Sequence, residues 1–485
     1  MYIKNKIFIS LLFVSAFFGQ QLVAQVSLPK VLGHGMVLQR RQPVPIWGYA
    51  AAGEKVTVQF AGQQEKATAD ASGNWHVTLN AMEAAATGRP LTITGTNKIQ
   101  LNDILVGEVW LCSGQSNMEF TMRKYERFKD STDKKWVAQE LQNASNPSIR
   151  LFLTDRKRMK PDSTHAGWSI AADSALRQFS AVGYFFAKKL QQELKVPVGI
   201  IASSIPGSRI EPWAPAEAFE KIDWFKNNQY TISGDPGKFY STIIEPLAPF
   251  ALKGFLWYQG ESNCFLKDRI AYAYKMEALI KQWRSVWNNP KLPFYFVQIA
   301  PYVYSATKDN VVLDVESLPE FREVQAIATN IPYTGMVVTT DLNDNIKDLH
   351  PYNKWDIGKR LALMALSNTY QSAIAGSGPV FNTVTFKQNL ALLSFNHTGK
   401  GLVAKDNKPL SCFTIAGADG HFVPATAVIS GNQVIVSSPA VAKPVAVRLG
   451  WNEADHPNLF NKDGLPAVPF QTNNPLLAEW TATHQ

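Results

Sequence analysis

The chain has 485 residues, 46% of them hydrophobic, only three cysteines and a formal net charge of +9. This length accommodates two or three domains. Three cysteines exclude a disulfide framework, and lysines and arginines scattered without a long basic run argue against nucleic-acid binding, leaving solubility and attraction to anionic glycans as the meaning of the charge.

In chain order, Lys4 and Lys6 precede the apolar run Ile7–Gly19, which is too short to span a bilayer. Leu22-Val23-Ala24 then offers small residues for cleavage. Residues 1–24 therefore read as a secretory signal peptide, and the mature chain is expected to be secreted or periplasmic. No other stretch is long and apolar enough to cross a membrane. Residues 25–100 alternate apolar and polar positions in short runs, such as Lys55–Phe60 and Trp75–Leu79, between Gly/Asn/Ser turns. This predicts a β-rich N-terminal domain. From 101 to 375 apolar strands alternate with helical patterns. The strands are Ile104–Leu111, Val196–Ser204, Lys253–Tyr258, Phe294–Ile299 and Gly335–Thr340; the helices are Tyr184–Leu194, Tyr274–Trp287 and Lys354–Leu366. That alternation predicts βα units on a parallel sheet. Residues 376–485 return to a β pattern, as in Leu390–Phe395 and Val445–Leu449. The sequence leaves open whether the two β-rich segments pack together.

Three of these strand ends carry chemistry. The first ends in Ser113-Gly-Gln-Ser116-Asn-Met118, and open α/β sheets bind ligands at the carboxyl ends of their strands. Serine is a weak nucleophile until a base takes its proton. Of the eight histidines, His350 stands in a dense polar run, Asp341-Leu-Asn-Asp-Asn-Ile-Lys-Asp348-Leu-His350, directly before a helix. Asp348 is close enough in sequence to orient its imidazole. Another strand ends in Gln259-Gly-Glu261-Ser-Asn263, which suits an oxyanion site or a second acid. A third leads to Pro206-Gly207-Ser-Arg209-Ile-Glu211-Pro-Trp213, where Gly207 can present a bare backbone N–H.

Together these stretches resemble the sialate O-acetylesterase family of SGNH-type hydrolases. The resemblance extends to Met36–Arg40 and Pro43–Gly48 near the start, and to Leu449–Asn452 and Asn458–Ala467 near the end. It implies a flavodoxin-like SGNH core with flanking sandwich- or jelly-roll-like β segments, and a serine esterase removing O-acetyl groups from sialic acid. By motif, Ser116 is the nucleophile and His350 the base. Asp348 is preferred as the acid, with Glu261 the alternative. Backbone N–H groups of Ser116 and Gly207, with the Gln259 or Asn263 side chain, are the expected oxyanion donors. No metal or organic cofactor is required. The chain departs from the family in having Pro206-Gly207 for a Gly-Gly pair and Phe239–Ile244 for Leu-Tyr-Asn-Xaa-Met-Ile. Both changes bear on substrate, so an acetylesterase for xylan or pectin is the nearest rival, and a glycan-binding protein with a dead hydrolase core the next.

Other readings compete at single residues. Arg209 meets either a substrate carboxylate or Glu211. Trp213, Trp257 and Tyr258 either stack on a sugar or pack in the core. Asp341, Asn343 and Asn345 have the spacing of calcium-loop ligands, but Ile346 replaces the expected glycine and no terminal glutamate follows. Cys112 and Cys264 are expected as buried thiols, a bridge between them being the alternative.

Overall fold

The computed structural model describes residues 25–163, 165, 167–307 and 311–484. The expected signal peptide lies outside the described residues. Seven strands form the central sheet: β1 (Lys98–Gly114), β2 (Ser145–Asp155), β3 (Ser169–Ala172), β4 (Val198–Ser204), β5 (Gly254–Tyr258), β6 (Phe294–Val297) and β7 (Thr334–Val337). Their order is β3-β2-β4-β1-β5-β6-β7. All neighbours are parallel except β3, which runs antiparallel to β2. The fold is therefore an α/β parallel-sheet core with added antiparallel β structure. From β1 the chain skips one position to β2, adds β3 outside it, returns to β4 beside β1, and then crosses to β5 on the other side. Strand order reverses around β1, so a crevice opens at its carboxyl end.

The sequence of these strands explains their burial. A parallel sheet covered on both faces needs continuous apolar runs rather than alternation. In β1, Val109 and Leu111 join one hydrophobic cluster while Trp110 and Cys112 join a second. Helices cover both faces. On one side lie Ala181–Leu194 and Lys354–Asn368, here α2 and α6; on the other lie Ala271–Val286 and Ser317–Ile327, here α4 and α5. Ser180 starts α2 by accepting the Gly183 N–H at 3.1 Å, and Asn353 starts α6 by accepting the Asp356 N–H at 3.2 Å.

β1 is 17 residues long, and its first part pairs with Ala85–Thr94 of the N-terminal β region. Position 100, where the sequence pattern changes, thus falls inside a strand. The N-terminal strands share their hydrophobic cluster with the sheet, whereas the strands from Val380 onward enclose one of their own. The last helix, Pro475–Thr483, returns to the α/β core and buries Trp480 there. No helix among the described residues is long and apolar enough to cross a membrane.

Cys112 and Cys264 are both buried and both free. They belong to clusters on opposite faces of the sheet, which is why the alternative of a bridge fails.

Candidate active site

Ser116 follows β1 by two residues. The turn between them is built on Gly114, whose φ is +137° and whose Cβ would stand 2.2 Å from the Tyr258 carbonyl oxygen. Only glycine tolerates that approach. Gln115 N–H donates to the same carbonyl at 3.0 Å, and a short helix, α1 (Ser116–Glu119), begins at the serine. His350 arrives from the loop between β7 and α6. Successive side chains fold that loop by bonding backbone two residues on: Asn343 Oδ1 to Asn345 N–H, Asn345 Oδ1 to Lys347 N–H, and Asp348 Oδ1 to His350 N–H at 2.8 Å. Asp341 forms a two-point ion pair with Arg360 at 2.8 and 2.7 Å, so its carboxylate serves the base of α6.

His350 Nε2 lies 2.8 Å from Ser116 Oγ, although 234 positions separate the residues. Both are partly exposed, so a substrate can reach them. Burial lowers the imidazole pKa below its ordinary value of 6.5, and the positive charges of Lys354 and Lys124 lower it further; Asp348 opposes them. A neutral ring can accept the serine proton. Asp348 grips the backbone N–H of His350, and among the described residues Nδ1 of the ring has no hydrogen-bond partner. The side-chain contact expected from sequence is thus replaced by a main-chain one.

Glu261 opens α3 (Glu261–Cys264) after β5 and is 1% exposed. Its Oε1 accepts from Asn117 Nδ2, its Oε2 has no partner among the described residues, and burial raises its pKa. It does not bond His350. Asn117 Nδ2 also donates to the Leu349 carbonyl at 3.1 Å, and Lys354 Nζ donates to Asn117 Oδ1 at 2.6 Å. Neither Asn117 nor Lys354 was assigned a role from sequence. Their signal was position: one follows Ser116, the other opens the helix after His350.

Two expected oxyanion donors face elsewhere. Gln259 Nε2 donates to the Ser208 carbonyl at 3.2 Å and to Asn263 Oδ1 at 2.7 Å. Asn263 Nδ2 donates to Asp268 at 2.7 Å and to Glu211 at 3.3 Å, while its Oδ1 accepts the Ile210 N–H at 3.1 Å. Both side chains are fully buried with their amide hydrogens already used. They hold the Gly207 loop rather than a substrate oxygen. Gly207 has φ +70°, is exposed, accepts from Ser262 Oγ through its carbonyl at 3.1 Å, and keeps an N–H without an acceptor among the described residues. Ser116 N–H, at the first position of its helix, is likewise free there.

Trp213 is fully buried, donates from Nε1 to Ser208 Oγ at 3.1 Å and packs edge-on against Trp257. It is a wall of the core and offers no face to a sugar. Arg209 remains partly exposed, 3.4 Å from Ser233 Oγ; Glu211 pairs with Lys275 instead, at 2.7 Å. A large cavity of about 850 Å³ lies away from this site, between α5, α6 and the C-terminal strands.

Residues 106–367, more than half of the chain, match the family described as carbohydrate esterase, sialic acid-specific acetylesterase. The chain belongs to this family. It is 27% identical to the sialate O-acetylesterase of Homo sapiens over 90% of this chain and 91% of that protein, and 27% identical to the Rattus norvegicus one over 90% and 92%. A solved carbohydrate acetylesterase from Xanthomonas citri shares 37% identity, covers 93% of this chain and 100% of its own, and superposes with a TM-score of 0.81. Like other members of the sialic acid-specific acetylesterase family, the chain is a carboxylic ester hydrolase.

Proposed function

We propose that this esterase is exported and removes O-acetyl groups from sialic acids through an acetyl-enzyme on Ser116. The observation that carries the reading is the 2.8 Å contact between Ser116 Oγ and His350 Nε2. His350 takes the serine proton as Oγ attacks the acetyl carbonyl. The tetrahedral oxyanion forms beside the free N–H groups of Ser116 and Gly207. One such donor contributes a factor of roughly a hundred or more in rate. His350 then protonates the departing sugar oxygen, and water, deprotonated by the same imidazole, releases acetate from the serine ester. Asp348 acts as the acid by its charge, favouring the imidazolium of the transition state.

Sialic acid as the substrate is supported by the mammalian relatives and by the positive field of the site. Lys124 is half-buried, has no ion-pair partner among the described residues, and is near enough to act on His350. Arg209, two residues after Gly207, is a second partly exposed cation on that loop. The alternative, an acetylesterase of another carbohydrate such as xylan, is favoured by the likeness to the Xanthomonas citri protein, which is described simply as a carbohydrate acetylesterase. Timed acetate release from O-acetylated sialic acid and from acetylated xylan decides between them. Faster release from the sialic acid at matched acetyl concentration is expected; preference for xylan overturns the substrate assignment.

A further inference from the structure

Beneath the Ser116–His350 pair lies a buried polar chain that acetyl transfer itself leaves unused. Lys354 is 0% exposed, as is Asn117, and Glu261 is 1% exposed. The Lys354 ammonium donates to Asn117 Oδ1 at 2.6 Å and otherwise faces the rings of Phe120 and Tyr258, 5.1 and 5.4 Å from their centroids. Asn117 Nδ2 donates to Glu261 Oε1 and to the Leu349 carbonyl. Asn117 follows the serine, and Leu349 precedes the histidine. One amide therefore straps the nucleophile turn to the base loop, with a cation fixing its oxygen and a carboxylate fixing its nitrogen. Burying such charges costs several kcal/mol per ion, and an apolar side chain fills the same space without that cost.

We propose that Lys354, Asn117 and Glu261 form a positioning device that sets Ser116 Oγ against His350 Nε2. The proposal rests on the assignment of Ser116 and His350 above. The physical reason is geometric. The two reacting groups come from separate segments 234 positions apart in the chain, and a misplacement of about 1 Å costs roughly a hundredfold in rate. The Asn117 side chain bridges the two loops directly. The electrostatic setting is mixed. Around Lys354 stand Glu261 and Asp348, which favour its charge, and Lys124 and Arg127, which oppose it; burial is the largest influence and pushes its pKa down to about 7. Around His350 stand Lys354, Lys124 and Asp348.

The test uses the full chain with a chromogenic acetyl ester. Lys354→Met is expected to lower kcat about tenfold or more with little change in KM. It is also expected to move the acid limb of the kcat/KM profile upward by about half a pH unit, because a cation beside the imidazole has gone. Asn117→Ala should lower kcat similarly, and adding Lys354→Met to it should cost little more. Glu261→Gln, which keeps an acceptor for Asn117, should lose less than Glu261→Ala. Wild-type kcat with an unmoved acid limb in Lys354→Met overturns the proposal. So do losses that track melting temperature alone across the set. If Lys354→Met does not fold, equal activity in Glu261→Gln and Glu261→Ala overturns it just as well. Ser116→Ala separates the two levels: an active Ser116→Ala sinks the nucleophile assignment, whereas an inactive one beside a fully active Lys354→Met sinks the positioning device alone.

Discussion

His350 sits among groups that pull its proton affinity in opposite directions, and their balance sets the working pH. Burial, Lys354 and Lys124 lower its pKa below 6.5, and Asp348 restores part of the loss. Activity needs the neutral ring, so kcat/KM should hold from neutral pH down to below 6.5 and fall only as the imidazole protonates. A falling limb centred above 6.5 would point to another base. Asp348→Asn keeps the oxygen that accepts the His350 N–H but removes the charge that favours imidazolium. It should cost about tenfold or more in kcat and shift the acid limb further down. Glu261→Gln should cost less, measured in the same assay; the reverse ranking moves the acid role to Glu261.

Among elements, the β4-to-Gly207 loop is held from behind by a buried charge cluster. Lys275, 2% exposed, donates to Glu211 at 2.7 Å, to Asp268 at 2.6 Å and to Tyr230 at 3.1 Å. Asp268 and Glu211 hold Asn263, which holds Ile210. The two carboxylates raise the Lys275 pKa against the opposing effect of burial. A raised amine pKa contributes stability fully at neutral pH, and that contribution is lost only in strongly alkaline solution. Lys275→Ala should therefore destabilise the protein by about 3–5 kcal/mol at neutral pH in urea titration, since it leaves two buried acids unpaired. A change below about 1 kcal/mol would contradict this account. The cluster was invisible in sequence. Strands such as β4 and β5 were legible because both-face burial writes an unbroken apolar run, and Ser116 and His350 were legible because each ends or follows such a run in a polar turn. Side-chain direction past the strand end was not. Gln259, Asn263 and Trp213 stand in the right segments but turn behind the loop, because Glu211, Asp268 and Ser208 offer them partners there. Asp348 stands two residues before His350, and that spacing alone does not tell a contact to the ring from one to the backbone.

For the whole molecule, the long β1 ties the N-terminal strands to the sheet, and the last helix ties the chain's end to the α4–α5 face. Trp480 is 4% exposed, its ring 4.9 Å from Tyr274, and Tyr274 OH meets Thr483 Oγ1 at 2.6 Å. Trp480→Ala should cost about 3–5 kcal/mol in thermal or urea unfolding. An unchanged midpoint would show that this helix does not stabilise the core. The C-terminal strands have their own hydrophobic cluster, so we propose that they fold around a separate core and that esterase chemistry resides in residues 101–375. The central claim is that one serine carries the acetyl group and that His350 activates it. Peptide mass spectrometry after exposure to a fluorophosphonate tests it most directly. A single adduct on Ser116, largely lost in His350→Ala, is the predicted result. An adduct on another residue, or full labelling of Ser116 in His350→Ala, would contradict it.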